Sequence, residues 1–122
     1  MTRRAGARWG AAALVAAALA IAGCGGGDDG GEPVEVRALD HDYEGLPDEV
    51  EAGTLELVMR NEGVAAHDLL VEELDDERVV DVVAPGDEGS GSVELEPGTY
   101  TLYCSIPGHR EAGMEHELEV VE

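Results

Sequence analysis

From Pro33 to the C-terminus, apolar residues recur at every second position in short runs, without the sustained 3.6-residue spacing of an amphipathic helix. Val34–Leu39 alternates in this way, as does Gly53–Asn61, which puts Leu55, Leu57 and Met59 on one face. His67–Glu73 and Val79–Val83 follow, separated by the charged turn Leu74–Arg78. Ser92–Leu95 and Thr99–Cys104 flank a Glu-Pro-Gly turn, which predicts a β-hairpin. In the last run Glu115, Glu117 and Glu119 point one way against His116, Leu118 and Val120. Short strands at this interval predict an all-β domain, an antiparallel β-sandwich. Its core has to be Val and Leu, because the chain has no Phe, and after its single Trp, Trp9, the aromatics are Tyr43, Tyr100 and Tyr103.

The N-terminus has a different texture. Arg3, Arg4 and Arg8 precede an apolar run, Trp9–Ala22, that is shorter than the about 20 residues a membrane span requires. A basic start, a short apolar core and small residues at its end predict an export signal. Ile21-Ala22-Gly23-Cys24 resembles the lipobox of bacterial lipoproteins, which implies lipid on Cys24 as the first residue of the mature chain. The alternative is an ordinary signal peptide, with Cys24 left as a thiol or in a disulfide. Next comes Cys24–Pro33, glycine-rich and acidic, the composition of a flexible tether. The expected organisation is thus a signal over residues 1–23, a tether over 24–33 and a domain over 34–122. Stable anchoring requires more than one acyl chain, since a single chain binds a membrane weakly.

Charge and cysteine count narrow the functions. Removing the signal takes away three of the seven Lys+Arg residues and leaves 4 basic against 28 acidic, formally −24. Nucleic acid is excluded as a partner, because phosphate binding requires a basic surface. The acidity fits either steering toward a positively charged partner or adaptation to salt. Two cysteines in an exported protein form one disulfide by default. If Cys24 carries lipid on a loose tether, Cys104 stands alone and must be buried or metal-bound to escape oxidation.

Cys104 has company. His109 and Met114 follow at equal gaps, each directly after a glycine. Thiolate, imidazole and thioether together select copper over harder metals, and a mononuclear site of this kind takes two histidines, one cysteine and a weak axial sulfur. The second histidine has to come from His41, His67 or His116. His67 is the best placed, since it opens a strand straight after the polar loop Arg60–Ala66. Taken singly, Cys104 could be a buried strand cysteine, His109 a surface-loop residue, Met114 a gap-filler and His67 a strand-end histidine bonded to a carbonyl. Their order and their neighbours favour one site.

Asn61-Glu-Gly-Val-Ala-Ala-His67-Asp68, followed far downstream by Pro97–Met114, resembles the cupredoxin family of blue copper proteins, especially its small bacterial auracyanin-like and plastocyanin-like members. The likeness runs from about Val34 to Val121. It implies a Greek-key β-sandwich with copper near one end, ligated by His67, Cys104 and His109, with Met114 as axial thioether. One residue departs from the family pattern: His116 stands two places after Met114, where a glycine is usual. It reads as a partly buried histidine bonded to a neighbour, or else as a rival axial ligand. His41, between Asp40 and Asp42, reads as a solvated residue or an adventitious second metal site.

The function implied is electron transfer, not catalysis. Multicopper oxidases and nitrite reductases need more histidine clusters and domains, and a binuclear purple-copper centre needs a second cysteine in the ligand loop. Expected partners are redox proteins, such as a cytochrome or terminal oxidase with a basic docking face, met by a lipid-anchored monomer at the outer face of the cytoplasmic membrane or in the periplasm. Contact would be made through an exposed edge of His109, ringed by Ile106 and Pro107. Copper sequestration or delivery at the cell surface is the alternative.

Overall fold

The structure, a computed structural model, describes residues 32–122. The expected signal, Cys24 and all but the last two residues of the tether lie outside the described residues. Nine strands follow in order: β1 (Val34–Leu39), β2 (Asp42–Glu44), β3 (Glu49–Glu51), β4 (Gly53–Asn61), β5 (His67–Val71), β6 (Glu77–Val83), β7 (Glu88–Leu95), β8 (Gly98–Tyr103) and β9 (Glu115–Val121), with one 3-10 turn at Glu72–Leu74. They form a four-stranded sheet in the order β2-β1-β4-β7 and a five-stranded sheet in the order β3-β9-β8-β5-β6. The all-β sandwich is therefore as expected.

Its core is made by the alternation seen in the sequence. Leu55, Leu57 and Met59 of β4 face Leu118 and Val120 of β9, Tyr100 and Leu102 of β8, and Leu69 and Val71 of β5 within one buried cluster. Each such Leu or Val is worth about 1.5–3 kcal/mol when fully buried. Tyrosines supply the aromatic bulk and keep their hydroxyls bonded: the Tyr100 hydroxyl donates to the Glu96 carbonyl at 2.7 Å, four residues upstream, as in the tyrosine corners of other sandwiches. At the open edge β7 lies so close to β6 that a Cβ on Gly91 would come within 1.7 Å of the Val79 carbonyl oxygen. Any other residue there would force the sheets apart.

Three expectations need correction. Ser92–Leu95 and Thr99–Cys104 do not form a hairpin: β7 pairs with β4 in one sheet, while β8 pairs with β9 and β5 in the other. The Glu-Pro-Gly turn reverses the chain and also carries it across the sandwich. The pairing is not wholly antiparallel either, since β1 runs parallel to β4 and β3 parallel to β9. Finally, the strand beginning at His67 stops at Val71, and Glu72–Leu74 coils into a 3-10 turn. Asp75 and Asp76 leave that turn at φ values of 57° and 56°, a region that short polar side chains tolerate better than most. β2 and β3 were not foreseen, because three residues are too few for alternation to register.

Candidate metal centre

The downstream wall of the site is one loop, Cys104 to Met114, between β8 and β9. Backbone bonds close it upon itself. Cys104 N–H donates to the Met114 carbonyl at 3.1 Å, and Met114 N–H donates to the His109 carbonyl at 3.0 Å. His109 N–H reaches back to the Ile106 carbonyl, also at 3.0 Å. Gly108 and Gly113 make the two reversals possible, with φ of 87° and 116°, immediately before His109 and Met114. The equal gaps in the sequence are thus two tight turns, each delivering one side chain inward. Arg110 braces the outside: its guanidinium bonds Glu115 at 2.9 Å and Glu72 at 2.5 Å, and lies 4.2 Å from the centroid of the Tyr103 ring.

The upstream wall is His67, the first residue of β5, where the register with β6 is irregular. Such bulges re-aim side chains and are common beside functional sites. Asn61, itself buried, builds the loop leading to it. Its amide donates to the Ala65 and Val83 carbonyls, both at 2.8 Å, and its carbonyl accepts from Gly63 N–H at 2.9 Å.

These walls bring the sequence-predicted residues together. Cys104 Sγ lies 3.6 Å from His109 Nδ1 and 4.0 Å from His67 Nδ1, and the three donor atoms fall within 4.8 Å of one another. His67, Cys104 and Met114 are fully buried, and His109 is 8% exposed. Met114 shares the core cluster with Cys104 and is joined to both Cys104 and His109 by backbone bonds. Cys104 is a free thiol. Thiolate and imidazole ligands stand about 2.3 and 2.0 Å from a first-row metal, so a trigonal site wants sulfur and nitrogen about 3.7 Å apart. The two observed distances bracket that value. A thiolate with two imidazoles and a buried thioether nearby is the donor chemistry of type 1 copper.

The electrostatics suit a metal as well. Burial lowers the pKa of His67, against the opposing pull of Asp40, so its imidazole is held neutral with a lone pair to give. Burial raises the Cys104 thiol, while backbone N–H groups of Asp68 and Ile106 act to lower it. The thiol therefore keeps its proton until a bound cation displaces it.

Sequence reasoning missed three residues around the donors. Asp68 is fully buried and accepts from Ser105 N–H at 2.7 Å and from the Ser105 hydroxyl, tying β5 to the residue after Cys104. Arg78 approaches the same carboxylate at 3.4 Å. Arg110 and Asp40 are the others. Nothing in local spacing marks Asp68 or Asp40, since each acts on a partner distant in the chain, and Arg110 joins Glu115 five residues on to Glu72 far upstream.

Two readings change and one is settled. The His109 edge is largely covered: the ring of His41 meets it at right angles, centroids 5.1 Å apart, and His41 is the more exposed imidazole. His41 is held there at φ 70°, uncommon for a residue other than glycine. It is therefore not merely a solvated loop residue. His116 stands outside the donor group, its Nε2 lying 2.8 Å from the Pro47 carbonyl oxygen. That is the bonded-to-a-neighbour reading.

Known proteins share the fold. The family described as Cupredoxin-like domain matches residues 11–114. Dithionite-reduced auracyanin from the photosynthetic bacterium Roseiflexus castenholzii is similar in structure at a TM-score of 0.60 and 16% identity, over 74% of this chain and 97% of that one. Auracyanin B gives a TM-score of 0.60 at 20% identity, over 77% and 94%. An azurin from the obligate methylotroph Methylomonas sp. strain J gives 0.58 at 15%, over 74% and 98%. At such identities these likenesses speak for the fold. No curated protein matches the chain in sequence.

Proposed function

The chain belongs to the cupredoxin family, and on that footing we propose that it is a blue copper electron carrier, with His67, Cys104 and His109 as the strong ligands and Met114 as the weak axial one. Copper held in such a set would alternate between Cu(I) and Cu(II), and so would take up and give out one electron at a time. The observation that carries the reading is the enclosure of the donors. A catalytic metal keeps an open position for substrate, whereas His67, Cys104 and Met114 are all shut away from solvent. Donors already held by strands and a self-closed loop have little to rearrange when the charge of the site changes. Met114→Leu should keep copper and colour while raising the reduction potential, since a weak sulfur donor is lost.

The His109–His41 pair is the route to a partner in this proposal. Around it lie Ile106, half-buried, and Pro107, exposed. Val64, 86% exposed, is tied by its N–H to Asp40, the neighbour of His41. A small apolar rim of this kind suits brief redox encounters. The acidic surface would steer a basic partner toward it, and lipid on Cys24 would keep the domain beside the outer face of the membrane. Stopped-flow electron exchange with a positively charged cytochrome tests the reading. The rate should fall as salt approaches 1 M, where screening acts within about 3 Å. Exchange with a neutral small oxidant should stay level. No electron exchange with either reagent would refute the carrier role.

A further inference from the structure

Asp40 lies in the turn between β1 and β2, 27 residues before His67, and its carboxylate Oδ1 is 3.2 Å from His67 Nε2. That ring nitrogen faces away from the donor cluster, since it is Nδ1 that approaches Cys104 Sγ. The carboxylate is itself fixed. It accepts from Val64 N–H at 3.0 Å and from Ala65 N–H at 3.2 Å, both in the loop that leads to His67. Space for the contact depends on Gly63. A Cβ there would stand 2.3 Å from Asp40 Oδ1 and 2.9 Å from His67 Nε2, inside contact distance of both. Three residues are thus arranged so that a carboxylate reaches the far side of a buried imidazole.

We propose that Asp40 is a positioning residue for His67 and holds the reduction potential of the copper site down. By accepting the Nε2 proton it fixes the tautomer that leaves the Nδ1 lone pair for the metal, and it turns the ring toward Cys104. A carboxylate on the outer nitrogen makes the imidazole a stronger donor. Its negative charge also favours the more positive oxidation state, Cu(II), over Cu(I). Gly63 serves the same end by staying out of the way. The inference rests on His67 holding copper, as set out above, and adds a determinant outside the ligand set.

The experiment has two arms. In the first, wild type, Asp40→Asn and Gly63→Ala are loaded with copper and titrated electrochemically. Asp40→Asn preserves shape and should keep copper and colour, but shift the Cu(II)/Cu(I) balance about tenfold toward Cu(I), which is about 59 mV for one electron. Gly63→Ala should shift it in the same direction. A loss of packing alone would lower stability without moving the potentials together. In the second arm, nitrogen NMR of the copper-free wild type reads the His67 tautomer, expected to be protonated at Nε2. This arm needs neither copper nor a folded variant. Unchanged potentials in both copper-loaded variants would overturn the proposal, as would His67 protonated at Nδ1 in the copper-free chain. A wild type that binds no copper but shows the Nε2 proton would refute the copper reading and leave the Asp40 contact standing.

Discussion

The two walls of the site are built on different principles. The downstream wall, Cys104–Met114, closes on itself through backbone bonds between residues at most ten apart, and two glycines set its turns. The upstream wall, at His67, is held from a distance. Asp40 reaches it across 27 residues, and the Asn61 amide ties its loop to Val83, 22 residues on. The downstream wall has long-range side-chain ties as well, Ser105 to Asp68 and Arg110 to Glu72, but its turns are set by its own backbone, whereas the upstream histidine takes its aim from partners that only the sandwich brings together. Damage to the second should therefore spread further than damage to the first.

The largest effect is expected at Asn61. Asn61→Ala removes three hydrogen bonds from a buried position, each worth about 1 kcal/mol net, so the loss should come to about 3 kcal/mol. Denaturant melts of the copper-free protein would measure it, and copper affinity should fall with it. Next is Gly113→Ala. A Cβ there would be 3.8 Å from its nearest neighbour, the His41 carbonyl oxygen, so space is available and the cost is the left-handed backbone, about 1–2 kcal/mol. If Gly113→Ala proved more damaging than Asn61→Ala, the contrast between local and distant walls would be reversed.

Smaller again is Arg110→Met. Its two ion pairs are partly exposed, and such pairs contribute about 1 kcal/mol or less. Stability should change little, while copper release in the presence of a chelator should quicken as the loop loses its outer brace. The smallest effect belongs to His116→Ala. Its ring is bonded to the Pro47 carbonyl and is not among the grouped donors, so visible spectrum and potential should match wild type. A large shift in potential would restore His116 as an axial candidate.

The same contrast explains what could be read from the chain beforehand. β1 and β4 occupy the residues that alternation marked, Val34–Leu39 and Gly53–Asn61, because one face of each is buried and the other is not. Cys104, His109 and Met114 were legible because their spacing is local and their turns carry glycine. β7 and β8 were misread because a Pro-Gly turn reports a reversal and says nothing of which sheet receives the returning strand. The cover on His109 was missed for a related reason. His41 arrives from a turn 68 residues earlier in the chain, and only the closed sandwich brings the rings together. β5 hid Asp68 as well: all five of its residues are buried, so a carboxylate sits where alternation predicts a solvent-facing side chain.

Both walls have one purpose, to hold a thiolate and two imidazoles around copper, and that claim can be tested at its centre. One equivalent of Cu(II) added to the copper-free protein should produce an intense visible band from thiolate-to-copper charge transfer, together with the EPR signal of a single copper site. Cys104→Ser should lose the band entirely while keeping the fold by circular dichroism. A Cys104→Ser protein that still turned blue, or a folded wild type that stayed colourless with Cu(II) bound, would contradict the assignment of Cys104 as the copper thiolate.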